Sequence, residues 1–373
     1  MMSEILGVEK VLERLTLKRA IIEKSNLWEP IYDHIATEAE KNRAQSCYEL
    51  IANNEPMAAT DVGISNMTPV FITPIGCQVQ YEMTGYLVSY PEIRQNYILR
   101  DCVFVERAHF FWQMIWEKEP LFIVMLTTPV NKAQLYFPAN EKERLIFGPF
   151  TITCTKRDAT RGYITRTLTI RYKGSEVLHT VTHIQCMSWG FLPPDAEPFG
   201  QFLDHLNNLN ALWNASIGSY FPTWEMHAPV IQCNSGMGRT GCLVIINVMS
   251  RLLGDRVRHK YNIEKMMLKL KTGLPRAIET VDEYKFIVNQ VIWETEKLKP
   301  EFVLGRDHMQ MVTNMARTYD DSENSLEKLI SSKKWIPTGA ILDYKCFRKA
   351  VNMGPQYKNV GKSKTSTYTR LMS

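Results

Sequence analysis

Apolar positions in the first forty residues recur at helical spacing: Ile5, Val8, Val11, Leu12 and Leu15, then Ile21, Ile22, Ile31 and Ile35. Charged residues of both signs interleave with them, and Pro30 interrupts the run. This pattern predicts two or three helices capping a domain. A membrane-surface helix would carry a more uniform polar face. Further along, Tyr97-Ile98-Leu99, then residues 110–117, then Ile123-Val124-Met125-Leu126 read as strand, helix, strand. From Phe150 to Met187 apolar and polar residues alternate, rich in Thr, Ile and Val, which predicts antiparallel strands turning at Lys173-Gly174-Ser175. Helical periodicity returns at 198–214 (Phe199, Phe202, Leu203, Leu206, Leu209, Leu212), at 242–254 and at 281–298. The order of elements predicts an α/β domain. Beyond Pro300, residues 306–332 could form one or two modest helices. Residues 356–373 carry Lys358, Lys362, Lys364 and Arg370 without an acid and read as a solvated tail.

Composition narrows the class without naming it. The length of 373 residues suits one large α/β domain with appendages, or two ordinary domains. A net charge of +5 suits an anionic substrate and is too mild for a nucleic-acid footprint. Glu4, Glu9, Lys10, Glu13 and Arg14 argue against a signal-peptide core, and no apolar run approaches a membrane span. The eight cysteines show no paired metal-ligand spacing, so a reducing, cytoplasmic setting is expected and no metal or other cofactor is implied.

One stretch carries the chemistry. Pro229, Val230 and Ile231 read as a buried strand leading through Gln232 into Cys233-Asn234-Ser235-Gly236-Met237-Gly238-Arg239-Thr240, and an apolar helix follows from Cys242. Strand, tight loop and helix turn successive backbone N–H groups onto an anion, and the helix N-terminus adds positive potential. Arg239 can fold back as a planar fork on two phosphate oxygens. The same field favours a thiolate at Cys233, the form a nucleophilic sulfur needs. The alternative is a structural cysteine buried beside a glycine turn.

With its strand, glycines and R-T-G ending, this stretch resembles the signature loop of the tyrosine-specific protein tyrosine phosphatases. Residues 97–99, 110–117 and 123–126 resemble the family's Y-I-x-T-Q-G-P, F-W-x-M-x-W-E and x-V-M-L segments, although Asp101-Cys102-Val103 replaces the Q-G-P piece. Lys132-Ala133-Gln134-Leu135-Tyr136-Phe137-Pro138 is similar to the K-x-x-x-Y-W-P loop, with Lys132 either beside the site or an ordinary surface lysine. The resemblance implies a mixed, highly twisted sheet flanked by helices and a phosphocysteine mechanism on phosphotyrosyl proteins. It also implies Thr240 as the hydroxyl that assists the departing thiolate, and Asn234 through Arg239 as the phosphate cradle.

The departures decide the functional question. Lys41-Asn42-Arg43 resembles the start of the substrate-recognition loop, where Ala44 stands in place of a stacking aromatic. The family's D-Y-I-N-A segment is unrecognisable between Ile64 and Gly76. Gln232 stands where the family has His and carries no cationic form. The acid loop W-P-D reads Trp189-Gly190-Phe191, and Phe191 has no proton to donate. Asp195 is either a replacement acid or a helix N-cap ahead of Ala196. Both water-positioning glutamines are glutamates, Glu279 and Glu283, which could repel phosphate, act as bases, or pair with Arg239 and close the cradle. Arg276 could narrow the cleft or recruit an acidic partner.

The expectation is therefore an N-terminal helical cap over 1–40, a phosphatase-like domain over 41–298, a helical extension over 299–355 and a disordered tail over 356–373. Its cleft would be lined by Lys132, Trp189, Phe191, Gln232, Glu279 and Glu283. The function expected is a phosphatase slowed by loss of its general acid, or a pseudophosphatase that captures phosphotyrosine or acidic partners unchanged.

Overall fold

The computed structural model describes residues 2–52, 67–75, 77–127, 135–190, 192–217, 227–254 and 262–298. Its strands are β1 (Met67–Ile72), β2 (Tyr81–Tyr90), β3 (Gln95–Arg100), β4 (Phe122–Met125), β5 (Arg144–Phe147), β6 (Phe150–Ala159), β7 (Tyr163–Tyr172), β8 (Leu178–Cys186) and β9 (Val230–Gln232). Among the described residues they form one mixed sheet in the order β1-β2-β3-β9-β4-β8-β7-β6-β5. The four central strands β3, β9, β4 and β8 run parallel, and the outer pairs are antiparallel. Thus β9, last in sequence, threads the middle of the sheet, with Val230 and Ile231 paired to both Ile98 and Leu99 of β3 and Ile123 and Val124 of β4.

That central position explains why β3, β4 and β9 read as unbroken apolar runs. Successive residues point to opposite faces, and both faces are covered. Val230, Ile98 and Ile123 join the core beneath α3 (Ala108–Lys118), whereas Ile231, Leu99 and Val124 join the core on the opposite face. The second face is covered by α4 (Ala196–Ile217), α5 (Gly238–Gly254), α6 (Ile263–Gly273) and α7 (Val281–Lys297). The N-terminal helices α1 (Met2–Lys24) and α2 (Trp28–Ala52) enter this same core through Leu12, Ile22, Trp28 and Ile35. Trp28 packs edge-on to Tyr284 of α7 at 5.2 Å. Lys18 of α1 pairs with the buried Glu264 of α6 at 2.6 Å.

The sequence reading needs two corrections. Pro30 does not interrupt a helix; it is the third residue of α2, in the first turn, where its missing N–H has no intrahelical partner to lose. Lys41-Asn42-Arg43 and Ala44-Gln45-Ser46 are not a loop, because α2 continues without a breaker to Ala52. Ala44 is an exposed helix residue. Residues 306–332 and 356–373 lie outside the described residues. No helix among the described residues is long and apolar enough to cross a membrane.

Candidate functional site

The loop 233–237 leaves the carboxyl end of β9, between the ends of β3 and β4, and passes directly into α5. This is where an open α/β sheet leaves a crevice for a ligand. Backbone bonds fix the loop from both neighbours: Leu126 N–H donates to the Gln232 carbonyl at 2.9 Å, and Cys102 N–H to the Asn234 carbonyl at 3.3 Å. Gly236 has φ +73°, and a Cβ there would lie 2.5 Å from the Arg100 carbonyl carbon and the Asp101 nitrogen. No residue with a side chain fits this close crossing.

Cys233 sits at the loop's floor, 2 % exposed. Arg239 is half-buried and is held by two carbonyls: Nη1 donates to Leu126 O at 2.9 Å and Nη2 to Gly190 O at 2.8 Å. The guanidinium thereby ties the end of β4 to the turn after Trp189. Trp189 is buried against Phe199 at 5.4 Å and Phe286 at 5.2 Å, which anchors that turn. Thr240 is fully buried, and its hydroxyl donates to Gly236 O at 2.6 Å, bracing the loop from inside. Ser235 Oγ accepts from Met237 N–H and donates to a Glu279 carboxylate oxygen, both at 3.3 Å.

The two glutamates stand at the mouth of this loop. A Cβ on Gly238, the first residue of α5, would lie 2.5 Å from Glu283 Oε1 and 3.1 Å from Glu279 Oε2. The chain thus places its own carboxylates against a helix N-terminus, the place an incoming anion would seek. Glu283 caps α7: its Oε2 accepts Glu279 N–H at 2.6 Å and Thr280 N–H at 3.3 Å, while Thr280 Oγ1 accepts Glu283 N–H. Burial raises the Glu283 carboxyl above its ordinary value and Glu279 adds to the rise, against lowering by the two amides and Arg239. Arg276 pairs with Glu279 at 2.7 Å and points mostly to solvent.

Two supports lie behind the loop, and His183 in the first and Tyr32 in the second carry no motif signal in the sequence. Gln232 donates through Nε2 to the Tyr136 hydroxyl, which in turn meets His183 Nε2 at 2.9 Å, all within the core. Burial holds His183 well below its ordinary value, with Arg166 adding to the effect, so this chain is neutral. Gln232 Oε1 and His183 Nδ1 have no hydrogen-bond partner among the described residues. On the other side, Ile278 adopts φ 57°, and its carbonyl accepts from Tyr32 Oη of α2 at 2.7 Å and Lys271 Nζ of α6 at 3.0 Å. Tyr32 is pushed up to about 12 by burial first and then by Glu283, Asp33 and Glu279. The helices α2 and α6 therefore hold the turn that presents Glu279.

Of the residues singled out from sequence, the structure brings together Cys233, Arg239, Thr240, the 234–238 loop, Gln232, Glu279 and Glu283, with Trp189 buried behind the adjoining turn. Asp195 immediately precedes α4 and is exposed, and its carbonyl accepts Phe199 N–H at 3.3 Å. Lys132 and Phe191 lie outside the described residues. No cluster of metal-ligating side chains exists among the described residues.

Comparison with known proteins adds an independent line. The protein-tyrosine phosphatase family model matches residues 60–293, beginning downstream of the Lys41 stretch and spanning the Cys233 loop and both glutamates. Tyrosine-protein phosphatase non-receptor type eak-6 of Caenorhabditis elegans is 26% identical over 362 residues, covering 90% of this chain and 87% of that protein. That similarity extends past the family-model limits. Tyrosine-protein phosphatase non-receptor type 14 of Homo sapiens is 27% identical over 206 residues, 53% of this chain but 17% of its own length. Type 4 of Homo sapiens is 26% identical over 199 residues, 51% of this chain and 20% of its own.

Proposed function

Since the chain belongs to the protein-tyrosine phosphatase family, we propose that it captures phosphotyrosyl proteins at the Cys233 loop and turns them over slowly. The observation that carries this reading is the pairing of an intact cradle with two carboxylates at its mouth. Gly236, Thr240 and the bonds from Leu126 and Cys102 hold the loop in an anion-binding shape, with Arg239 folded beside it. Glu279 and Glu283 meet that shape with negative charge. A carboxylate near a phosphate dianion costs on the order of 1 kcal/mol per charge pair at water-like dielectric and several in a drier site.

The chemistry follows from the residues present. Phosphate oxygens would take the amides of the 234–239 loop and, once Arg239 gives up a carbonyl, its guanidinium. Cys233 Sγ would attack phosphorus in line with the departing phenolate oxygen. Phe191 offers no proton to that oxygen, which withholds a factor of about 10²–10⁴. Glu283, whose carboxyl is raised by burial, lies against Gly238 at the mouth of the loop. Asp195, exposed just ahead of α4, is the other carboxyl that could serve as a substitute acid. A reduced cysteine suits a cytoplasmic setting.

A second reading, capture without release, is favoured by the way Arg239 is already satisfied by Leu126 and Gly190 carbonyls. Phosphate release from a phosphotyrosyl peptide, followed for hours beside a Cys233→Ser control, separates the two. Release that depends on Cys233 supports the slow enzyme. Peptide binding that is lost in Arg239→Ala, with no release, supports capture alone. Failure to bind peptide, phosphate or vanadate removes both.

A further inference from the structure

Beside the Cys233 loop a groove runs along β2. Its inner part, about 520 Å³, is lined by Ser235, Gly236 and Met237 together with Glu82, Thr84 and Arg100. Its outer part, about 230 Å³, shares Glu82, Thr84, Arg100 and Asp101 and opens onto Tyr81, Phe104 and Phe110. The three outer rings are exposed by 49 %, 61 % and 37 %, respectively. They stand together at one end of a cleft whose other end is the loop itself.

Arg100 marks the midpoint. Its side chain is only 6 % exposed and lines both parts of the groove. Nε donates to Asp101 O at 3.1 Å, Nη2 donates to Asp101 Oδ1 at 3.2 Å, and the guanidinium lies 5.0 Å over the Phe111 ring. Nη1 is buried and has no hydrogen-bond partner among the described residues. A desolvated donor of this kind is costly to leave unpaired and calls for an acceptor. Because two of its nitrogens are engaged, it offers a single bond rather than a fork. Asp101 is paired to it, and Glu82 and Arg107 line the same outer part, so the charges there are balanced and a neutral carbonyl suits the place.

We propose that this groove binds the extended peptide segment next to the phosphotyrosine, with a main-chain carbonyl on Arg100 Nη1 and an apolar or aromatic side chain on Tyr81, Phe104 and Phe110. The proposal rests on capture of phosphotyrosine at the loop, and it adds what selects the partner. Main-chain bonding to Arg100 is indifferent to sequence, whereas the ring shelf distinguishes an apolar side chain from a small polar one.

The test uses the full chain carrying Cys233→Ser, so that binding is read without release. Fluorescence anisotropy would compare phosphotyrosyl peptides flanked by Leu and Phe with peptides of equal length flanked by Gly and Ser. Phenyl phosphate reports the loop alone. The apolar-flanked peptide should bind about tenfold tighter, the effect of burying roughly one apolar side chain. Phe104→Ser and Tyr81→Ser, at exposed positions that folding tolerates, should each remove most of that preference and leave phenyl phosphate affinity unchanged. Equal affinity for both peptides overturns the groove proposal while leaving capture at the loop intact. A preference that survives both substitutions also overturns it. If neither phenyl phosphate nor any phosphopeptide binds, capture at the loop fails and the groove proposal falls with it.

Discussion

At the scale of single residues, the site is a contest between one helix N-terminus and two carboxylates. Gly238 is contacted by Glu283 and Glu279, so a bound dianion must share the space with them. Replacing both by glutamine keeps the shape and removes the charge. Glu279→Gln with Glu283→Gln should tighten sulfate binding about 10- to 100-fold, measured by calorimetry. The same logic gives a pH dependence. Glu283 has a raised carboxyl, so in the folded chain its proton is gained at higher pH than in the unfolded chain. Repulsion is present above that raised value and fades as pH falls through it. Sulfate stays a dianion throughout, so its affinity should rise on acidification, and Glu283→Gln should flatten the profile. A rise unchanged in Glu283→Gln would place the titrating group elsewhere. Gly236 supplies the residue-scale test of the loop itself. With φ +73° and no room beside Arg100, Gly236→Ala should cost about 2–4 kcal/mol in chemical denaturation and abolish sulfate binding.

Elements differ in how openly the sequence declared them. The central strands and α3, α4, α5 and α7 were legible because burial on a constant face repeats at the period of the element, as at Phe199, Phe202, Leu203 and Leu206. The strand β1 was not, since Pro69 sits in it; the proline is tolerated because β1 is an edge strand whose register shifts after Pro69. The helix α6 has Ile263, Met266, Met267 and Leu270 buried at helical spacing, but the four lysine and glutamate residues around them mask the stripe. Two of these polar residues are themselves buried for a reason that only tertiary structure supplies. Lys271 donates to the Ala277 and Ile278 carbonyls, and Glu264 receives Lys18 and Tyr284. Burial pushes the Glu264 carboxyl up, but the Lys18 charge and its hydrogen bond, joined by Tyr284, carry it below its ordinary value. The sign follows: this pair stabilises the fold above the unfolded carboxylate range, and the contribution is lost as pH falls through the depressed value. Lys18→Met leaves the buried Glu264 charge without its cation, still held by Tyr284, and should destabilise by about 3–5 kcal/mol near neutral pH in denaturant titration. The loss should shrink in acid.

The whole molecule joins these scales, because the parts that fail and the parts that persist occupy different places. Motif spacing in the sequence located the loop, and the fold it sits on, since Cys233, Gly236, Arg239 and Thr240 are contiguous. It mislocated the Lys41 stretch, because three letters in a helix match three letters of a loop. It was silent on Tyr32, whose bond to Ile278 crosses 246 residues and has no local pattern. Among the described residues the Cys233 loop is braced from β3, β4 and α5, and the two carboxylates set against it come from the α7 cap. The scaffold should therefore accept the chemistry it lacks. Phe191→Asp alone would restore a proton donor to a cleft still guarded by two carboxylates, and Glu279→Gln with Glu283→Gln alone would bind phosphate better without helping the leaving group. Effects of groups that act on one step do not add. The triple substitution should raise Cys233-dependent release from a phosphotyrosyl peptide by about 10²–10⁴-fold, far above either partial set. A triple variant that unfolds cooperatively like the parent, binds sulfate tightly and still releases no phosphate would show that the Trp189 turn does not deliver residue 191 to the cleft. The assignment of the acid position, rather than of the cradle, would then be in error.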